Sequence, residues 1–146
     1  MAYAITLNNN LLRIAANETE KNELTAILTP HTEINISDSD FLLIKQDISD
    51  FVINGNTMTI TEDSEPGSIT TADELNNYLN DVKNTLNSFI SNANANTQSK
   101  TLYTQAVNYK NYLNTFDTAT VSYPIVNWEK YCQDNEITYL NLLQLP

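Results

Sequence analysis

Cys132 and His31 are the chain's single thiol and single imidazole, so one nucleophile and base pair is all that Cys/His chemistry could draw on. His31 follows Pro30 in a loop-like stretch. Cys132 sits between Tyr131 and Gln133 in a short amphipathic segment, where a small structural hydrophobe is the commoner role. One cysteine and one histidine also exclude a disulfide framework and a Cys/His zinc site. Eighteen carboxylates guarantee that some pair lies close enough for glycoside hydrolysis, which makes such a pair uninformative. Asp38-Ser39-Asp40 and Glu62-Asp63-Ser64-Glu65 offer oxygen ligands for a cation, but neither has the spacing or the glycine of an EF-hand loop. The first reads better as acidic residues complementing a helix start, the second as a solvated linker. Tyr103, Tyr109 and Tyr112 could form a platform for bases or sugars, yet Tyr109 belongs to an apolar seam and no cationic groove accompanies them. The expectation is therefore no enzyme, no catalytic, cofactor-binding or metal-binding residue, and no cofactor.

Elements must position whatever these residues do, and composition bounds those elements. At 146 residues the chain is about one domain, or a small head with a helical extension. The longest apolar run, Phe41-Leu42-Leu43-Ile44, is far short of the ~20 residues of a membrane span. Two glycines, Gly55 and Gly67, cannot write a phosphate loop or a dinucleotide fingerprint. Seven basic residues are scattered among eighteen acidic ones, leaving −11 and no electropositive stripe for nucleic acid or for an anionic membrane. Split at residue 69, the first half carries −8 and the second −3. Asn and Thr number 22 and 18, while charged residues are only 17%. Coding bias is one source of this; a surface that meets copies of itself or its neighbours through uncharged hydrogen-bonding groups is the other.

Met1-Ala2-Tyr3-Ala4-Ile5-Thr6-Leu7 alternates as a strand or an arm and lacks the basic start and apolar run of a signal peptide. Asn17 with Glu20 starts a short helix over 18–29, stopped by Pro30. Ser37 with Asp40 repeats the signal for Phe41, Ile44 and Ile48, although 41–45 could equally be a buried strand. Phe51-Val52-Ile53 and Thr57-Met58-Thr59-Ile60-Thr61 flank Asn54-Gly55, predicting a β-hairpin over 51–61 with Asn54-Gly55 in the turn. Glu62–Gly67 is an acidic connector ending in a turn dipeptide, which divides a 1–69 head from 70–146.

Thr71 with Glu74 forms a capping box, and Leu75, Leu79, Val82, Leu86, Phe89 and Ala93 step by 4-3-4-3-4. A second seam runs through Leu102, Ala106, Tyr109, Leu113 and Phe116. The jump of nine between them predicts an antiparallel helical hairpin, 71–95 and 98–117, with one long register-shifted helix as the alternative. Asn, Thr, Ser and Gln on the outer positions are mediocre helix formers, so these helices need partners: each other, the head, or other copies. Asn127 caps Trp128 to Asp134, and the apolar end through Leu140 and Leu143 is expected to dock as a strand or extended segment, 124–146, on its own head or a neighbour's sheet edge. The fold class is α+β. The candidate interface residues are Leu75, Leu79, Val82, Leu86 and Phe89 against Leu102, Tyr109, Leu113 and Phe116, with Trp128, Tyr131, Leu140 and Leu143 as anchors.

The stretch Trp128-Glu129-Lys130-Tyr131-Cys132-Gln133-Asp134-Asn135, with Ile137 and the closing Leu143-Gln144-Leu145-Pro146, resembles the tail ends of small structural proteins of tailed bacteriophages, particularly those of cyanobacteria. The Asn/Thr/Tyr-rich, Lys-poor composition is similar to that of phage fibre and decoration proteins. The resemblance covers about 25 residues, carries no catalytic signature, and transfers no functional residue by position. It implies a virion part, in the fibre, the tail or neck, or a decoration layer, made in the host cytoplasm and acting by self-association as a homo-oligomer and by docking on other virion proteins. A helical hairpin departs from the all-β character of many fibre shafts. The competing expectation is a free acidic protein that mimics DNA and inhibits a basic nucleic-acid-binding enzyme, although the two long helices carry few carboxylates for such an array.

Overall fold

The computed structural model describes residues 1–64 and 67–146. The fold is α+β. It divides into two compact units, Met1–Glu65 with Leu143–Pro146, and Pro66–Leu142. Of the acidic connector, Glu65 and Pro66 lie outside the described residues, and with them part of the Glu62–Glu65 cation candidate and of the turn dipeptide.

The first unit is built on three antiparallel strands in the order β2-β1-β3, where β1 is Ala2–Leu7, β2 Asn10–Ala15 and β3 Thr32–Ile36. The alternation at the N-terminus produces the central strand. Ala2, Ala4, Ile5 and Thr6 are all buried, which fits a strand flanked on both edges and covered on both faces. Ala2 and Ala4 turn toward Phe41 and Ile44 of α2 (Asp38–Lys45), joining Ile14, Ile34, Ile36 and Ile53 in one core. On the opposite face, Lys21 of α1 (Glu18–Thr25) lies 4.9 Å from the Tyr3 ring and pairs with Glu33 of β3 at 2.9 Å. That hydrogen bond holds the Glu33 carboxyl below, and the Lys21 ammonium above, its ordinary range.

Side-chain caps start both helices. Asn17 Oδ1 accepts from Glu20 N at 2.9 Å, and Glu20 reaches back to accept from Ala16 N at 2.8 Å; Ser37 Oγ accepts from Asp40 N at 3.0 Å. The first helix ends at Thr25, four residues short of the predicted 29, and the ambiguous 41–45 stretch is helical. Strands β2 and β3 have no counterpart in the sequence reading. The turn between β1 and β2 is formed by Asn8 and Asn9, at φ 52° and 63°. Two consecutive left-handed residues make the type I′ geometry that matches strand twist, and asparagine tolerates that region better than other side-chain-bearing residues.

Strands β4 (Ser49–Asn54) and β5 (Thr57–Glu62) form the second hairpin, one or two residues longer at each end than predicted. The pairing Asn54↔Thr57 places Gly55 and Asn56 in the loop, one step beyond the expected Asn54-Gly55. Only Gly55 is left-handed, at φ 62°, the pattern of a type II′ turn, which wants glycine first. Gly55→Ala is expected to cost about 1–2 kcal/mol through backbone strain alone, because an added Cβ would meet nothing within 4 Å. Urea denaturation of the variant measures this, and a cost near zero would mean that the turn relaxes to another type.

The second unit is a helical hairpin with an appended segment. Helix α3 spans Ala72–Asn92 and α5 spans Thr101–Thr115, joined through a single turn, α4, at Ala95–Gln98. Thr71 Oγ1 accepts from Glu74 N at 3.2 Å, while Glu74 accepts from Thr70 N at 3.0 Å. Asn94 caps α4 by accepting from Thr97 N at 2.9 Å. After α5 the chain makes a 3₁₀ turn at Thr118–Thr120 and pairs Ile125 with Ile69 through two 2.9 Å backbone bonds. Helix α6, Trp128–Asp134, follows and is capped by Asn127, whose Oδ1 accepts from Lys130 N at 2.7 Å.

The predicted docking segment 124–146 divides between the units. Residues 137–141 form no strand, and Leu142–Gln144 is a 3₁₀ turn. The last four residues return to the first unit, where Leu143 packs on the core and Arg13 Nε donates to the Leu145 carbonyl. No helix among the described residues is long and apolar enough to cross a membrane.

Candidate functional site

The seam read from the heptad spacing lies inside the second unit. Leu75, Leu79, Val82 and Leu86 of α3 are buried, as are Leu102, Ala106, Tyr109 and Leu113 of α5. Phe89 and Phe116 are half-buried, Phe89 packing at 6.2 Å against Tyr103. These side chains fill the chain's own interior. What α3 presents outward is Asn76, Asn77, Asn80, Asn84, Thr85, Ser88, Ser91 and Asn92, amides and hydroxyls interrupted by the carboxylates Asp73, Glu74 and Asp81.

Trp128 has no exposed surface. Its Nε1 donates to Tyr109 Oη at 2.9 Å, tying α6 to α5. An aromatic chain runs outward from it: Phe116 meets it edge-on at 4.8 Å, Tyr131 stacks on it at 5.6 Å, and Tyr112 lies 5.8 Å from Phe116. Trp128 is thus an internal post, whereas Tyr131, half-buried, and Tyr112, 37% exposed, carry the aromatic chain toward solvent. Leu140 is buried in the same unit, while Leu143 belongs to the first.

Beside the tryptophan is a group of ionisable side chains in which Cys132 and Tyr109, both weighed from the sequence, are joined by Glu129 and Tyr139, which were not. Glu129 is 6% exposed and accepts a hydrogen bond from the Tyr78 hydroxyl of α3. Cys132 and Tyr139 are buried nearby, close enough to act electrostatically on Tyr109. Burial pushes the Tyr109 phenol far above its ordinary range, against the opposing pull of the Trp128 bond. Tyr139 moves the same way, through burial first and the neighbouring Glu129 second. Both phenols stay protonated throughout the neutral range, and that of Tyr109 accepts the Trp128 bond. Glu129 sits in the first turn of α6, where the helix dipole favours a carboxylate. The only sequence signal for it was its place two residues after the Asn127 cap.

No protein-family model, curated protein or solved structure matches the chain.

The other chemical candidates are held within their own units. His31 Nδ1 lies 2.7 Å from the Leu28 carbonyl and Nε2 lies 3.4 Å from Glu33, all in the first unit; Cys132 is in the interior of the second. Asp38 approaches the N-terminal ammonium at 3.8 Å. Among the described residues, no three His, Cys, Asp or Glu side chains are grouped as metal ligands. Tyr103, Tyr109 and Tyr112 do not form a joint platform: Tyr109 is internal, Tyr103 leans on Phe89 and Tyr112 on Phe116.

Proposed function

We propose that this chain is a structural subunit of a tailed-bacteriophage particle, working by self-association and by docking on other virion proteins. The observation that carries this reading is the outer face of α3. Eight of its eleven exposed positions are Asn, Thr or Ser and the other three are carboxylates, although better helix formers would stabilise a solvated helix more. Such a face suits contact with another protein, because amides and hydroxyls pair across an interface without the desolvation cost of ions. The helical seam is satisfied inside the chain, so association uses this polar face together with the exposed side chains of Tyr112 and Val126. The resemblance of the chain's ending and composition to those of phage structural proteins supplies the virion context.

The acidic-inhibitor alternative draws support from the −8 carried by residues 1–69. It is weakened by the use of Glu20 as a cap and of Glu33 as the partner of Lys21, which removes both from any outward array. Peptide mass spectrometry on purified particles of the phage encoding this chain is expected to find it at a fixed stoichiometry. Light scattering across a concentration series is expected to show growth in mass. A chain absent from particles and monomeric at millimolar concentration would overturn the proposal.

A further inference from the structure

The β4–β5 hairpin is a two-stranded sheet in which β4 pairs with β5 and with no other strand. In a two-residue hairpin the residues flanking the loop form a hydrogen-bonded pair, so Asn54, Val52 and Asp50 aim their N–H and C=O groups at β5. Ser49, Phe51 and Ile53 therefore aim theirs away from the sheet. Among the described residues, no backbone hydrogen bond from another element reaches those three. Natural edge strands are ordinarily guarded by lysine, by proline or by a bulge. Strand β4 has no lysine, proline or bulge; its one charged side chain is Asp50, and it runs six residues in unbroken register. Instead it exposes Val52 at 69% on one face and Phe51 at 40% on the other, where Ile53, with Met58 and Ile60 of β5, packs on the core.

Charge selects the occupant. Between Ser49 and Asp63 there are three carboxylates, Asp50, Glu62 and Asp63, and no basic residue. Asp50 shares the outer face with Val52 and lies opposite Thr61. The bond from Asp63 N to Ile48 O, at 2.7 Å, holds Asp63 at the base of the hairpin. A second copy would bring the same negative charge to this edge. We infer that β4 is a docking edge for an extended, lysine- or arginine-bearing segment of another protein, which adds as a strand with an apolar side chain beside Val52 and a cation beside Asp50. This inference stands apart from the virion reading, since any basic partner of that form would fit.

The test uses the full chain with two capped octapeptides, one alternating lysine with valine and one alternating glutamate with valine. Fluorescence anisotropy of the dye-labelled peptides is expected to show at least tenfold tighter binding of the lysine peptide, weakening as salt rises, and NMR is expected to show amide shifts concentrated at Ser49, Phe51 and Ile53. Phe51→Pro removes an outward N–H and is expected to weaken binding at least tenfold. Val52→Lys is a surface change that keeps every ladder bond and is expected to do the same, which separates loss of docking from loss of fold. Equal binding of the two peptides, no binding to the unaltered chain, or full binding to Val52→Lys would overturn the inference. So would self-association of the unaltered chain that Val52→Lys abolishes, because the occupant would then be a second copy.

Discussion

Trp128→Ala is expected to destabilise the second unit by about 3–5 kcal/mol, enough to leave α3 and α5 unprotected in hydrogen exchange while β1 stays protected. Trp128 is fully buried, bonded to Tyr109 and in contact with two further rings, so truncation opens a large cavity and strands a phenol in the interior. Trp128→Phe keeps the packing but loses the indole N–H, and should fall between the variant and the parent. Exchange rates at α3 and α5 equal to those of the unaltered chain would show that α6 is dispensable to the hairpin.

The second large effect is assigned to the bond between Tyr78 and Glu129. Tyr78→Phe is expected to cost about 1.5–3 kcal/mol, the range for a hydrogen bond to an ionised group, since the phenol donates to a carboxylate with 6% exposure. Glu129→Gln changes the acceptor, and the two substitutions combined should cost less than their sum, because each removes the same contact. Urea denaturation of the four proteins measures the coupling. Strict additivity would mean that the two groups stabilise the unit independently.

Local, periodic features of this fold were legible in the sequence. The helix starts at Asn17, Ser37, Thr71 and Asn127 were each marked by a side chain able to accept the third amide of the following turn, and each does so. The apolar steps of α3 and α5 marked the seam because a helix repeats its face every three to four residues. What escaped were features set by contacts distant in sequence. Strand β2 carries Arg13 amid leucines and shows no clean alternation, since a bulge opposite Ile5 and Thr6 shifts its register. Its turn hid in a run of three asparagines, where only the left-handed angles of Asn8 and Asn9 reveal a hairpin. Glu129 read as an ordinary surface acid. Its burial depends on Tyr78, fifty-one positions earlier, which no local pattern reports.

The first unit is discontinuous, because its Leu143–Pro146 stretch follows the whole helical hairpin in sequence. Arg13 Nε and the Leu145 carbonyl, 132 positions apart, are joined within that one unit. A proteolytic cut after residue 142 would therefore strip the first unit of part of its packing, Leu143 included, while leaving every residue of the second in place.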